Sequence, residues 1–301
     1  MNLFKRSSTR RTASLLFATL ALGSTLTACV TNSETGNPDG WQEIKPAPVP
    51  EIQAMVPEAI RKKGTISIGS NPPFAPMEFK DSDGAIIGID VDLARAAASV
   101  MGLELVVQEQ DFNLILPSIS GGTVDFGASG FTDNEERRKN YDFVNYLSAG
   151  LQWAQPTGEH VDPDNACGLT VAVQKGTVSE TDDVALRSEE CVKQGKDPIK
   201  MLSYESSDQA FTALVLGRAD AVSADSPITA FAIARADGKL EKTGEIFDAA
   251  DYGWPVPKGS DLGPALQAAL QHLIDTGDYA KALEPWGVTE GLKDTATLNG
   301  K

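Results

Sequence analysis

Three residues on one short stretch, Gly130, Thr132 and Arg137, are types that together hold a carboxylate. A guanidinium offers a two-pronged donor, and a hydroxyl and a backbone N–H complete the set. Arg137 also lies in the run Glu135-Glu136-Arg137-Arg138-Lys139, and a charge run of this kind equally reads as a solvated face. Other chemistries start with few candidates. The chain has two histidines, His160 and His272, and three cysteines, Cys29, Cys167 and Cys191, so neither a His/Cys metal site nor a Ser-His-Asp triad is expected. No stretch reads as a phosphate-binding G-x-x-x-x-G-K-[ST] loop, and no cofactor is expected.

The elements that position these residues follow a repeated grammar. Thr65–Gly69 alternates as a strand. A helix follows to Met101, with Asp90 as its expected cap and Gly102 as its stop. Strand Leu103–Val107, a short helix Leu114–Ile119 and strand Val124–Ser129 complete a β-α-β-α-β order, which implies an α/β lobe with a mostly parallel sheet. Leu169–Val173, a helix opened by the capping box Ser206-x-x-Gln209, and strand Ala221–Ala224 repeat it. In the first half a helix ends at Gly122, Asp125 follows, and the strand leads to Gly130. In the second a helix ends at Gly217, Asp220 follows, and the strand leads to Asp225, at the same spacing. Two related lobes are expected, each presenting a residue past the C-terminal end of a strand, where open α/β sheets bind ligands. Tyr252–Val256 reads as a return strand, and Leu262, Leu266, Ala269, Leu270 and Leu273 fall on one helix face.

The 301 residues carry 42 acidic and 26 basic side chains, a net charge of −16, which argues against nucleic acid and against a polybasic membrane surface. Residues 1–28 read as a signal peptide: Lys5, Arg6, Arg10 and Arg11 form a basic head, and Ala13–Thr25 is too short and broken to span a bilayer. Its removal takes four positive charges and no negative ones, leaving about −20. Leu26-Thr27-Ala28-Cys29 resembles the lipobox of bacterial lipoproteins, with ordinary secretory cleavage as the alternative. Residues 29–57, rich in proline, read as a lipidated Cys29 and a flexible tether, with a reach of about 30 Å. Cys167 and Cys191, 24 residues apart in an exported chain, are expected to form a disulfide rather than a two-thiolate metal site.

Five blocks in order carry a resemblance. Pro72–Lys80 with Gly88-Ile89-Asp90-Val91-Asp92-Leu93, then Gly130–Arg138, Val171–Thr177, Arg218–Val222 with Asp225, and Tyr252-Gly253 together resemble the polar amino-acid-binding proteins of ABC importers, the extracytoplasmic solute-binding proteins of family 3. The resemblance implies an α/β two-lobed periplasmic-binding-protein fold (type II), each lobe a mostly parallel sheet flanked by helices. Lobe 1 would be 58–148 plus 254–301 and lobe 2 would be 152–250, with a two-strand hinge near Ala149–Leu151 and Asp251–Gly253. It implies an amino-acid ligand between the lobes and delivery to an ABC permease and its ATPase. The protein would be a monomer, extracytoplasmic and held at the membrane by its lipid only.

Carried over residue by residue, Arg137, Thr132 and the Gly130 N–H would take the ligand carboxylate, and Asp225 the ammonium from the opposite lobe. Asp225 is also a plausible helix cap before Ser226-Pro227. Thr177 would add a contact. Phe74 and Phe112 would cover the side chain, core packing being the alternative; Phe79 and Phe126 are left to the core. Asn71, Gln174 and Ala224 would set specificity, where glutamine-binding relatives tend to carry Asp, Lys and His; Met77 would line the pocket or fill the core. Asn71 and Gln174 donate and accept, which suits a polar uncharged side chain. The alternatives are a secreted cyclohexadienyl dehydratase on the same fold, with Glu78 as the nearest general acid, a ligand-sensing module for a signalling partner, or an anchored structural protein.

Overall fold

The computed structural model describes residues 36–288 and 290–301. The signal peptide and Cys29 lie outside the described residues. Helices α1 (Pro50–Met55) and α2 (Glu58–Lys63) lead into β1 (Thr65–Ser70) and the pair β2 (Phe79–Lys80) and β3 (Ile86–Ile87). Then come α3 (Ile89–Val100), β4 (Glu104–Glu109), α4 (Phe112–Ser120), β5 (Phe126–Gly127) and α5 (Glu135–Arg138). The long strand β6 (Tyr141–Pro156) is followed by β7 (Thr170–Gln174) and a π-helical turn, Ser179–Val184, running into α6 (Ala185–Lys193). β8 (Lys200–Tyr204), α7 (Ser207–Val215), β9 (Ala221–Asp225) and α8 (Ser226–Arg235) come next. The second long strand, β10 (Leu240–Pro257), precedes α9 (Leu262–Thr276), α10 (Asp278–Leu283) and β11 (Leu292–Leu298).

A parallel sheet and a mixed sheet form the two lobes. One has the order β4-β1-β5; in the other, β8, β7 and β9 run parallel and β9 pairs antiparallel with β6. The strands β6 and β10 pair with each other along most of their length and serve both lobes. Residues 141–145 of β6 face 253–257 of β10 beside the first sheet, and 151–156 face 240–247 beside the second. Between these halves Ala149 faces Ala250 and Ser148 faces Asp251, with register shifts on either side. This is the two-strand hinge expected from the resemblance. It was read in sequence only as two crossovers, because β6 is buried on nearly every residue and carries no period-2 alternation.

Packing explains the order. Ile66 and Ile68 of β1 are fully buried, and α3 buries almost every residue because its alanines 94, 96, 97 and 98 let neighbours approach on all sides. In α9, Leu266, Ala269, Leu270 and Leu273 have no exposed surface, each leucine contributing about 1.5–3 kcal/mol on burial. The helix stops at Gly277, φ 77°, a left-handed cap.

Two expectations are corrected here. Asp90 does not cap α3: Gly88 is the N-cap residue, and Asp90 lies inside the first turn, fully buried. Residues 41–57 are not a free tether. Trp41 Nε1 donates to Asp92 Oδ2 at 2.7 Å, Ser99 Oγ to the Pro46 carbonyl at 2.6 Å, and the Val49 N–H to the Val100 carbonyl at 2.9 Å; Ile52 and Val56 enter the core. The proline-rich composition hides these apolar anchors, and Pro50 stands at the first position of α1, where its missing N–H costs nothing.

Cys167 and Cys191 form the expected disulfide, with Cα atoms 5.6 Å apart, tying α6 to the turn before β7. Replacing both by serine is expected to lower stability by about 3 kcal/mol, the chain-entropy value for a loop of this size. Urea unfolding of the variant and of the oxidised wild type checks it; equal midpoints would show that the bridge does not stabilise the fold.

Candidate functional site

Most of the residues picked out in sequence gather where the C-terminal ends of β1, β5, β7 and β9 face one another. Asn71 follows β1, Gly130 and Thr132 follow β5, Gln174 ends β7 and Asp225 ends β9. The lips of the two lobes touch. Gln174 Nε2 donates to Asn71 Oδ1 at 2.7 Å, and Arg137 Nη2 donates to the Gly176 carbonyl at 3.2 Å.

The acidic-basic run resolves into two distinct arginines. Asn134 caps α5 by accepting the Arg137 N–H at 2.9 Å, which turns the helix so that the two guanidinium groups diverge. Arg138 holds the buried carboxylate of Asp133 through two bonds, at 2.5 and 2.8 Å, and Asn145 Nδ2 donates to the same group. Arg137 has no salt bridge among the described residues. Its Nη1 donates to the Thr132 carbonyl at 2.8 Å, and its guanidinium lies 5.8 Å from the Phe112 ring centre and 5.5 Å from that of Phe131. These two rings stack at 4.4 Å. Burial lowers the Arg137 pKa from the ordinary guanidinium value, opposed first by Asp225. A largely desolvated cation facing a carboxylate across the lobes is an arrangement that a zwitterion with opposite charges at one carbon complements.

Asp225 is the N-cap residue of α8, but its side chain makes no capping bond, so the cap reading does not account for it. Burial pushes its carboxyl up to about 6, against the lowering effects of the Tyr252 hydroxyl and Arg137. Phe74 lies against Gly130: a Cβ on that glycine, φ 57°, would sit 2.6 Å from the ring. Phe112 both joins the core cluster under α4 and approaches Gly176 of the other lobe, so core and cover are not exclusive for it. Met77 and Phe126 belong to the core. Phe79 reaches across to Phe231 of the second lobe, with ring centres 6.3 Å apart, and packs edge-on against Trp286.

Two assignments change. The Gly130 N–H is not available to a ligand carboxylate, since it donates to Asp90 Oδ2 at 2.7 Å. The Thr177 hydroxyl donates to the Gln174 carbonyl at 2.7 Å, so it closes its own turn.

Beside Asn71 opens a polar cavity of about 390 Å³, lined among others by Glu109, Gln110, Asp111 and Glu205. Glu109 pairs with Lys80 at 2.6 Å and Glu205 with Lys175 at 3.3 Å. Gln174 Oε1 and Gln110 Oε1 are buried acceptors without a donor. Sequence reading missed this acidic rim because its members come from two segments far apart in the chain, 109–111 and 205, neither of them in a motif. It also missed the buried group Glu78, Asp90, Tyr146 and Tyr252. Two aspartates within the apolar run Ile89–Leu93 were the available signal. Among the described residues no cluster of histidine, cysteine and carboxylate side chains could hold a metal ion.

Comparison with known proteins bears on the family and the fold. The profile of the bacterial extracellular solute-binding proteins, family 3, matches residues 66–289. The arginine-binding protein ArgT of Corynebacterium glutamicum is 59% identical over 292 residues, 96% of this chain and 96% of that relative. Among solved structures, an ancestral arginine-binding protein bound to arginine superposes with a TM-score of 0.69 at 30% identity, covering 74% of this chain and 98% of its own. The ancestral amino acid-binding protein AncCDT-1, a precursor of cyclohexadienyl dehydratase, gives a TM-score of 0.68 at 29% identity, covering 76% of this chain and 98% of its own. Both are two-lobed type II binding proteins, and all three are named as binding proteins rather than enzymes.

Proposed function

The chain belongs to the bacterial extracellular solute-binding proteins, family 3, and from that premise we propose that it captures arginine between its two lobes for an ABC importer. The lobes would be residues 58–148 with 254–301 and residues 152–250. Arg137 takes the ligand carboxylate and Asp225 its ammonium. Phe74 and Phe112 flank the side chain, with the Thr132 loop and the backbone around Thr177 supporting the carboxylate end. The observation that carries this reading is that Arg137 forms no salt bridge among the described residues, bonds across the lobes to the Gly176 carbonyl, and has Asp225 of the second lobe as its leading charge partner.

Asn71 and Gln174 by themselves favour a neutral polar side chain. Around the adjoining cavity Asp111 adds a negative charge to the ion pairs Glu109–Lys80 and Glu205–Lys175, an excess that favours a cationic end, and Gln174 Oε1, without a donor among the described residues, suits a guanidinium N–H. Together with the arginine-binding relatives this moves the reading to arginine. The remaining parts of the proposal are export by residues 1–28, lipidation at Cys29, residence on the outer side of the cell membrane and action as a monomer. Glu78, the candidate acid of the dehydratase reading, is fully buried under Ser129.

A panel of amino acids, run by thermal shift and calorimetry on protein stripped of ligand by unfolding and refolding, tests the proposal. Arginine at a hundredfold excess over its Kd should stabilise by about 2.7 kcal/mol. Stabilisation by glutamine but not arginine would restore the neutral reading. No stabilisation by any standard amino acid at millimolar concentration would overturn both.

A pH dependence follows from Asp225. Its carboxyl, at an ordinary value of 3.8 when unfolded, titrates at about 6 in the ligand-free fold. Between those values the folded protein holds a proton that the unfolded chain does not, so this group's contribution to stability falls as pH rises from about 4 to 6. Ligand affinity has the opposite sign: an ammonium needs the ionised form, so affinity should rise by up to about tenfold per pH unit toward pH 6 and level off above it. Calorimetry from pH 4.5 to 8 reads this; a flat profile would place the ammonium elsewhere.

A further inference from the structure

Beneath the first lobe's half of the cleft lie two carboxyl groups that the binding scheme does not use. Glu78 and Asp90 have no exposed surface, and neither forms a salt bridge among the described residues. Glu78 Oε1 accepts from the Ser129 hydroxyl, whose oxygen accepts the Asn71 N–H at 3.1 Å. Asp90 Oδ2 accepts the Gly130 N–H at 2.7 Å. The remaining oxygens, Glu78 Oε2 and Asp90 Oδ1, lie within hydrogen-bonding reach of each other; Asp90 also lies within reach of the Tyr146 hydroxyl, whereas Glu78 Oε2 has no donor among the described residues. Two anions packed this way in a dry interior repel each other and leave Glu78 Oε2 unsatisfied. One proton between them removes a charge and gives each oxygen a partner.

We infer that Glu78 and Asp90 hold a single proton between them, as a positioning pair that locks the backbone of Gly130, and with it the loop to Arg137, to the backbone of Asn71. The result is one unbroken relay from the Asn71 N–H through Ser129, Glu78 and Asp90 to the Gly130 N–H. It fixes the two ends of the first lobe's ligand-facing surface relative to each other. The proton resides on Glu78, whose pKa burial and the neighbouring Asp90 charge push well above the ordinary carboxylate value; Asp90 is raised to about 6. The other groups facing the pair are consistent with this. Tyr146 of β6 and Tyr252 of β10 present neutral hydroxyls, both raised well above 10 by burial, the first within reach of Asp90 and the second within reach of Asp225; Arg137 donates to the Thr132 and Gly176 carbonyls and not to the pair.

The loop's role in binding rests on the reading of the site given above; the shared proton does not. Infrared spectra of the ligand-free protein at neutral pH should show the carbonyl band of a protonated carboxylic acid, shifted by ¹³C-glutamate labelling and missing in Glu78→Gln. A wild-type protein without that band overturns the pair, whatever the fate of any variant and whichever ligand binds. For positioning, the Gly130 amide resonance is the readout. Glu78→Gln keeps a donor toward Asp90, so it should leave this resonance in place and arginine affinity within about threefold of wild type. Glu78→Ala should move the resonance and weaken binding by about tenfold or more. A Glu78→Gln protein that folds yet moves the resonance as far as Glu78→Ala does would overturn the positioning role.

Discussion

Arg137→Ala should weaken amino-acid binding by about two to three orders of magnitude while leaving a folded protein. Charge-assisted hydrogen bonds contribute about 1.5–3 kcal/mol each. Removing one member of a desolvated ion pair costs about 3–5 kcal/mol, because the other charge is left without a partner. At 1.4 kcal/mol per tenfold, the middle of that range is nearly a thousandfold. The fold should survive because Arg137 closes no ion pair among the described residues; what it gives up there are bonds to the carbonyls of Thr132 and Gly176 and its placement over two rings. Arg138→Ala is the informative contrast. It strips the buried Asp133 of its cation, so it should cost stability first and affinity second. Lysine at 137 should not rescue, since a point charge lacks the fork that a carboxylate requires. Calorimetry with thermal unfolding separates the two effects. Wild-type affinity in Arg137→Ala would mean that the carboxylate binds elsewhere.

Gly88→Ala should destabilise the first lobe by about 2–6 kcal/mol, enough to unfold a protein of ordinary stability in part of the population. Two costs combine. The residue has φ 131°, a region that L side chains rarely adopt, costing about 1–3 kcal/mol. A Cβ there would sit 2.3 Å from the Met77 carbonyl oxygen and 2.9 Å from Glu78 Cα, and backbone cannot rotate out of the way as a side chain does; overpacking of this kind costs about 1–3 kcal/mol. Gly64→Ala is the control, at φ 71° with nothing within 4 Å of the new methyl, so it should cost only about 1 kcal/mol. Chemical denaturation of both variants measures the difference. Equal midpoints would show that the segment 76–78 yields more easily than its packing implies. Because Gly88 touches the residue before Glu78 and stands two before Asp90, the same methyl should also disturb the Gly130 amide.

Much of the fold was legible because its signals are local. The strand Thr65–Ser70 alternates, α9 shows a clean apolar face, and Ser206 does cap α7, accepting the Gln209 N–H at 3.3 Å. The matched spacing ahead of Gly130 and Asp225 marked the two strand ends that face each other. What escaped was set by distance in sequence. No periodicity distinguishes β6, buried on both faces, from a hydrophobic run. Pairing Arg138 with Asp133, which frees Arg137 for the cleft, depends on how Asn134 turns one short helix. Asp90 looked like a cap from its neighbours, yet its partner, Gly130, is forty residues away. The acidic rim of the side-chain cavity needs loops that only tertiary structure brings together.

The way α9 packs on α3 bears on when this protein acquires its shape. Helix α3 ends at Val100, but Leu266, Ala269, Leu270 and Leu273, part of the same core, lie beyond residue 261, and Trp286 Nε1 reaches Asp92 at 2.9 Å. A chain emerging from its N-terminus therefore carries an uncovered apolar helix for more than 160 residues of synthesis. Contacts closed over such separations form slowly, since loop entropy must be overcome before they add stability. The parallel strands of the second sheet, β7, β8 and β9, lie within residues 170–225 and have no such delay. The half of the molecule that carries Arg137 thus stays open until the residues beyond 261 have been made, so its ligand-facing loops take their final positions late in synthesis.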